Sequence, residues 1–222
     1  MLNTRNPTGK VLLPALCLVA LVLCAPACLA ITADEVVKRA MDLNEGIRDY
    51  RAQVTITTVA EKLDIPPRKV TIYYKRPDKM RVDSDQIAMV PRAAVNMHTL
   101  GSVAAKNSRA VMGGQKTVNG RTLYNIKLLP KEDTERGRVL VWVWGDTWTL
   151  EKMEVYDGNT KRFSVRWTYQ RVGEYWLPQW IIFTTAGMGR HSAPLAAGGE
   201  IRLYFSKVDV NVGLSDADFA EQ

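Results

Sequence analysis

From Tyr50 to Val208 the chain is a succession of short segments in which apolar and polar residues alternate, and that alternation limits the fold more than any other feature. A period of two sends successive side chains to opposite faces of an extended strand, so each segment has one dry face that must be covered. The clearest case sets Phe163, Val165, Trp167 and Tyr169 against Arg162, Ser164, Arg166 and Thr168. Tyr50 to Ala60 sets Ala52, Val54 and Ile56 against Gln53, Thr55 and Thr57, and Arg68 to Lys75 sets Val70, Ile72 and Tyr74 against Thr71 and Tyr73. Met80 to Asp83, Gln86 to Val90, Thr122 to Leu129, Val139 to Trp144, Trp148 to Tyr156, Trp180 to Thr185 and Glu200 to Val208 read as further strands. Val139 to Trp144 is apolar on both sides, so its two faces are not distinguished. Turn signals separate the strands: Pro66-Pro67, the type I′ dipeptide Asn119-Gly120, and Asp157-Gly158-Asn159, with Gly173 and Pro178 bracketing the connection before Trp180. About nine or ten strands in hairpin-like succession make an antiparallel meander, which closes as a barrel or wraps over a helix.

A helix is available at the start. Thr32 can cap it, Glu35 stands three residues on as in a capping box, and Val36, Ala40, Leu43 and Ile47 form one apolar face ending near Gly46. Ala93, Met97, Leu100 and Ala104 have helical spacing and predict a short, mobile helix within Ala93 to Asn107. The expected class is α+β and mainly antiparallel β: a curved sheet with an N-terminal helix and a second, short helix, closed as a barrel or wrapped over a helix.

Residues 1–30 read as a secretory signal peptide, with Arg5 and Lys10 in a basic region, Val11 to Leu23 apolar, and small residues from Ala25 to Ala30. Residues 31–222 then form one domain. Two processing sites compete: cleavage after Ala30, and lipid modification at Cys28, where Ala25 stands at the position of an expected leucine. Cys17, Cys24 and Cys28 are the only cysteines, so cleavage after Ala30 leaves a chain without disulfide or thiolate chemistry. Without Arg5 and Lys10, twenty-eight basic residues face twenty-three acidic ones, a mild and dispersed excess that carries no nucleic-acid motif.

Catalytic patterns are scarce. His98 and His191 lack a second ligand type at metal spacing, Ser192 is not in a GxSxG turn, and Gly113-Gly114 and Gly198-Gly199 do not lie between a strand and a helix as phosphate loops do. Asp83 and Asp85 could pair as glycosidase carboxylates, but acids beside a turn are ordinarily solvated. Apolar supply is ample instead. Trp142, Trp144, Trp148, Trp167, Trp176 and Trp180 all fall in the second half of the sheet, and Met80, Met89, Met97 and Met112 are suited to a surface that repacks around a flexible guest. A curved sheet has more apolar inner face than one helix covers, and the remainder is a cavity. Burial of methylenes there contributes about 0.8 kcal/mol each, so a lipid needs no special chemistry. The candidate wall residues are Ile72, Tyr74, Met80, Val82, Met89, Leu100, Trp142, Trp144, Trp167 and Trp180.

The segment Tyr73 to Asp85 holds two strands meeting at Arg76-Pro77-Asp78, and Pro77 restricts the residue before it, so that Arg76 is aimed in a fixed direction. The run YYKRPDKMRVD resembles the corner of the LolA-type outer-membrane lipoprotein-sorting proteins. TADEVVKRA, GRTLYNIKLLPK, EKMEVYDGN, YWLPQWIIF and SKVDVNVGLSDADF are similar to that family in order and spacing. The resemblance implies a half-open barrel holding acyl chains of a lipoprotein or lipid in transit across the periplasm, without cofactor or catalysis. It implies an inner-membrane releasing complex and an outer-membrane acceptor as partners, no nucleic acid, and Arg76 as a latch to the helical lid. SDQIAMVPRAAVNMH and Ala186 to Gly199 depart from the family pattern. A membrane-tethered acceptor lipidated at Cys28, or a lipid-binding sensor of envelope stress, would share the same expected fold.

Overall fold

A computed structural model describes residues 30–60, 65–84, 108–131, 137–185 and 199–220. Every described element lies in the unit Thr32–Gln222. The expected leader, the strand at Gln86 to Val90, the lid helix and most of the loop at Ala186 to Gly199 lie outside the described residues, as do Met89, Leu100, His98 and His191.

Helix α1 (Ala33–Asp42) begins at Thr32, its expected cap, without the reciprocal Glu35 half of a capping box. The Thr32 hydroxyl accepts from the Glu35 backbone N–H at 3.2 Å, Asp34 and Glu35 occupy the positive end of the helix dipole, and Arg39 lies in the last turn. The Glu35 carboxylate receives the Arg39 guanidinium at 2.6 Å. Ala33 and Val36 are buried, and beyond the helix Ile47 is 1% exposed.

The ten strands are β1 (Asp49–Ala60), β2 (Arg68–Lys75), β3 (Lys79–Asp83), β4 (Ser108–Val118), β5 (Arg121–Pro130), β6 (Gly137–Trp144), β7 (Leu150–Asp157), β8 (Thr160–Val172), β9 (Tyr175–Thr185) and β10 (Gly199–Val210). They form one antiparallel sheet in the order β3-β2-β1-β10-β9-β8-β7-β6-β5-β4. β3 and β4 are its edges among the described residues, so the expected meander is present as an incomplete barrel. At the β4–β5 turn Asn119 and Gly120 have φ of 50° and 76°, the paired positive values that a type I′ turn needs.

The connection expected between Gly173 and Pro178 is shorter than its sequence suggested. Only Gly173 and Glu174 turn, and β9 already runs from Tyr175 through Pro178. A proline lacks the N–H that a ladder uses, but here the register shifts between Thr168 and Tyr169, and Pro178 falls at that irregularity. Its carbonyl accepts from Gln170 Nε2 at 3.3 Å.

Candidate functional site

Register separates the two faces of the sheet. One row crosses eight strands through Thr58, Ile201, Phe183, Val165, Met153, Val141, Ile126 and Met112. One residue along each strand, the opposite face reads Thr57, Arg202, Ile182, Arg166, Lys152, Trp142 and Asn125. The first face, called inner, continues through Ile56, Leu203, Ile181 and Trp167, and through Ala52, Ile72 and Val82 on the β1–β3 side. Leu203 and Ile181 are 0% exposed.

Burial is graded along the inner face. At one end Tyr50 and Tyr74 stack with centroids 5.2 Å apart, Tyr74 donates its hydroxyl to the Pro77 carbonyl at 3.1 Å, and both rings are buried. Burial drives the Tyr50 phenol far above its ordinary titration range, so it is a neutral packing element. Toward the other end Phe163, Phe183, Val155 and Val139 are only half-buried, and the two phenylalanine rings lie 5.1 Å apart. That half-buried apolar stretch is the less covered part of the inner face. Sequence reasoning did not select Phe163, Phe183, Val155 and Val139 as wall residues, although Phe163 shares the period-two parity of Trp167.

The candidate wall residues divide. Ile72, Tyr74, Met80, Val82 and Trp167 are on the inner face, where Met80 pairs with Tyr74 and Val82 with Ile72. Trp142, Trp144 and Trp180 are not; they project from the outer face. Trp142 stands opposite Lys152, whose ammonium lies 5.0 Å from the indole centroid, and Arg121 lies 4.2 Å over Trp144. Trp180 packs on Tyr204 at 4.6 Å on the outer side of β9 and β10. The physical reason is parity: in Gly137–Trp144 the inner positions are taken by Val139, Val141 and Val143, which leaves both indoles outside.

Trp148, in the turn before β7, takes a different path. Its φ of 57° lies in the left-handed region, and its ring runs parallel to inner-face Tyr124 at 6.3 Å. Arg39 of α1 sits 4.7 Å over that ring, which ties the helix to the β4–β5 side of the sheet.

The turn after α1 is held by the β2–β3 corner. Arg76 Nη2 donates to the Asn44 carbonyl at 3.1 Å, and the Arg76 backbone N–H donates to the Arg48 carbonyl at 2.8 Å. Asn44 in turn grips β9, donating from Nδ2 to the Trp176 carbonyl at 2.7 Å and accepting from the Trp176 N–H at 3.3 Å. The latch role expected of Arg76 toward Ala93 to Asn107 lies outside the described residues. The bond that is described joins the corner to the turn after α1.

The remaining corner cations bind the C-terminal segment. Lys75 and Lys79 both reach Asp216 at 2.8 Å, and Arg81 Nη1 donates to the Asp218 carbonyl at 2.7 Å. Arg81 also forks onto Asp83 at 2.7 and 2.5 Å, which lowers the Asp83 pKa and leaves that carboxylate a structural acceptor rather than an acid. Among the described residues no group of three His, Cys, Asp or Glu side chains could hold a metal ion. Hydrogen bonds from Lys75 and then Lys79 hold the Asp216 carboxyl at about 2. A depressed folded-state pKa means that the contribution of this exposed clip is present above the ordinary carboxylate pKa and is lost only as pH falls through about 2. A carbon-detected NMR titration is therefore expected to place the Asp216 midpoint near 2, and Lys75→Ala with Lys79→Ala is expected to return it to the ordinary range. An ordinary midpoint in the unaltered protein would dissolve the clip.

Solved structures share this architecture. A domain from Vibrio parahaemolyticus described as an outer membrane lipoprotein-sorting protein superposes with a TM-score of 0.64 at 14% identity, covering 83% of this chain and 94% of its own. A LolA superfamily protein from Nitrosomonas europaea gives 0.57 at 14%, covering 86% and 99%. The chain has the LolA-type fold. A DUF1329 family protein from Desulfovibrio piger has the same architecture, with a TM-score of 0.62 at 15% identity over 86% and 98%. No family model matches the chain, and no curated protein matches it. Within the LolA-type fold the apolar inner face and the tie between the β2–β3 corner and α1 are the features on which a binding role can rest.

Proposed function

We propose that this protein is a periplasmic carrier that takes up the acyl chains of lipoproteins, or of related lipids, on its inner face and moves them toward the outer membrane. The observation that carries the reading is the eight-strand apolar row from Thr58 to Met112, with the half-buried Phe163, Phe183, Val155 and Val139 beside it. Burying a chain of methylenes against such a surface contributes about 0.8 kcal/mol per CH₂, enough for micromolar retention from roughly ten methylenes and weak enough per group for handover. The LolA-type fold and the outer membrane lipoprotein-sorting description of the Vibrio domain are consistent with this use. Export by the leader at residues 1–30, release by an inner-membrane complex and delivery to an outer-membrane acceptor are parts of the same proposal, and no cofactor or catalytic step is needed.

The test is mass spectrometry of lipids extracted from the natively purified protein, with titration of an environment-sensitive fluorescent fatty acid. Co-purifying acylated molecules and saturable probe binding are expected. A protein that carries nothing apolar and leaves the probe in water would remove the physical basis of the carrier reading.

A further inference from the structure

The outer face of β5 to β10 is a second surface, separate from the inner face. Its central row runs Trp142, Lys152, Arg166, Ile182, Arg202, so indole, cations and an aliphatic side chain share one stripe, with Arg166 and Arg202 exposed and the others half-buried. Acids on this face are already committed. Glu154 is 6% exposed and receives Lys152 at 2.7 Å and Lys161 at 3.5 Å, and Glu200 is paired with Arg202. Arg166 and Lys127 are exposed and have no hydrogen bond or ion pair among the described residues. The stripe therefore carries unneutralised positive charge beside half-buried indoles.

We infer that this outer face docks on an anionic phospholipid bilayer surface. Lysines and arginines gain about 1 kcal/mol each near such a surface, and indoles settle at headgroup depth with their apolar bodies toward the acyl chains and their N–H toward water. The alternative polyanion, a nucleic acid, would be read by stacking bases on exposed ring faces. Here Lys152 lies over Trp142 and Arg121 over Trp144, so each half-buried indole already has a face covered by a cation. The inference does not depend on the inner face holding lipid. It assigns the side of the molecule that meets the membrane, whatever the cargo.

The experiment is vesicle flotation with the protein as isolated from cells, using phosphatidylcholine vesicles with and without phosphatidylglycerol. Binding is expected only with phosphatidylglycerol, and is expected to weaken as salt is raised. Arg166→Glu with Lys127→Glu is expected to weaken it at least about tenfold. The charge-matched pair Lys38→Glu with Lys69→Glu, on α1 and β2, is expected to change it less than about twofold. Fatty-acid probe binding should be unchanged in both pairs, which separates this test from that of the carrier reading. Equal flotation with neutral vesicles, no effect of the outer-face pair, equal loss in both pairs, or capture by heparin without capture by vesicles would each overturn the inference.

Discussion

Replacing Phe183 by aspartate is expected to lower the affinity for a fluorescent fatty acid by about 100-fold, while Ile182→Asp, one residue away, leaves it unchanged. Phe183 stands in the inner row between Ile201 and Val165, half-buried and 5.1 Å from the ring of Phe163. An ionised carboxylate at that point loses water to any acyl chain laid over it, and the phenyl surface that would have met the chain is gone. The first effect costs a guest several kcal/mol and the second about 1.5–3 kcal/mol, so a net loss near 3 kcal/mol is a conservative sum. Ile182 belongs to the outer row beside Arg166 and Arg202, where a new carboxylate meets water and cations. Fluorescence titration gives the affinities, and urea midpoints for both variants separate loss of binding from loss of fold. Wild-type affinity in Phe183→Asp would place the guest elsewhere.

That contrast between adjacent residues shows what could be read from the chain and what could not. The parity of Phe163, Val165, Trp167 and Tyr169 was legible because charged or hydroxylated residues interrupt it at every step. So was the hairpin at Asn119-Gly120, since positive φ at both central residues leaves few other choices. Gly137–Trp144 offered no such marker. Its central residues are apolar on both faces, and only the cross-strand partners Lys152 and Asn125 show that Trp142 points outward. Pro178 misled for a related reason: its missing N–H argues against a strand until the register shift beside it is known. The corner was legible as a corner, and Arg76 as its directed cation. The partners of Lys75, Lys79 and Arg81 lie more than a hundred residues away, at Asp216 and Asp218, where local pattern has no reach.

Arg76→Leu is expected to slow release of a bound fatty-acid probe by about tenfold while lowering the urea midpoint of the empty protein. The backbone bond from Arg76 N–H to the Arg48 carbonyl survives any side chain, and Asn44 keeps its two side-chain bonds to Trp176, so the substitution removes the guanidinium and little else. What it removes includes the 3.1 Å bond to the Asn44 carbonyl that ties the β2–β3 corner to the turn after α1. A charge-assisted bond of that kind contributes about 1.5–3 kcal/mol. If a guest has to loosen α1 to enter, this bond is broken on filling. Under the carrier reading a guest must loosen α1 from the trough, and a bond present in the empty form alone favours expulsion by its own free energy. Deleting it shifts the balance toward the filled form, which appears as slower release with an association rate that is unchanged or higher. A residue with only a packing role would lower the urea midpoint and leave release alone. Arg76→Lys retains a charge but not the planar fork, and should fall between the two. Stopped-flow transfer of the probe to acceptor vesicles measures the rate. Release that is unaltered would take Arg76 out of the mechanism, and faster release would assign its guanidinium to the filled form instead.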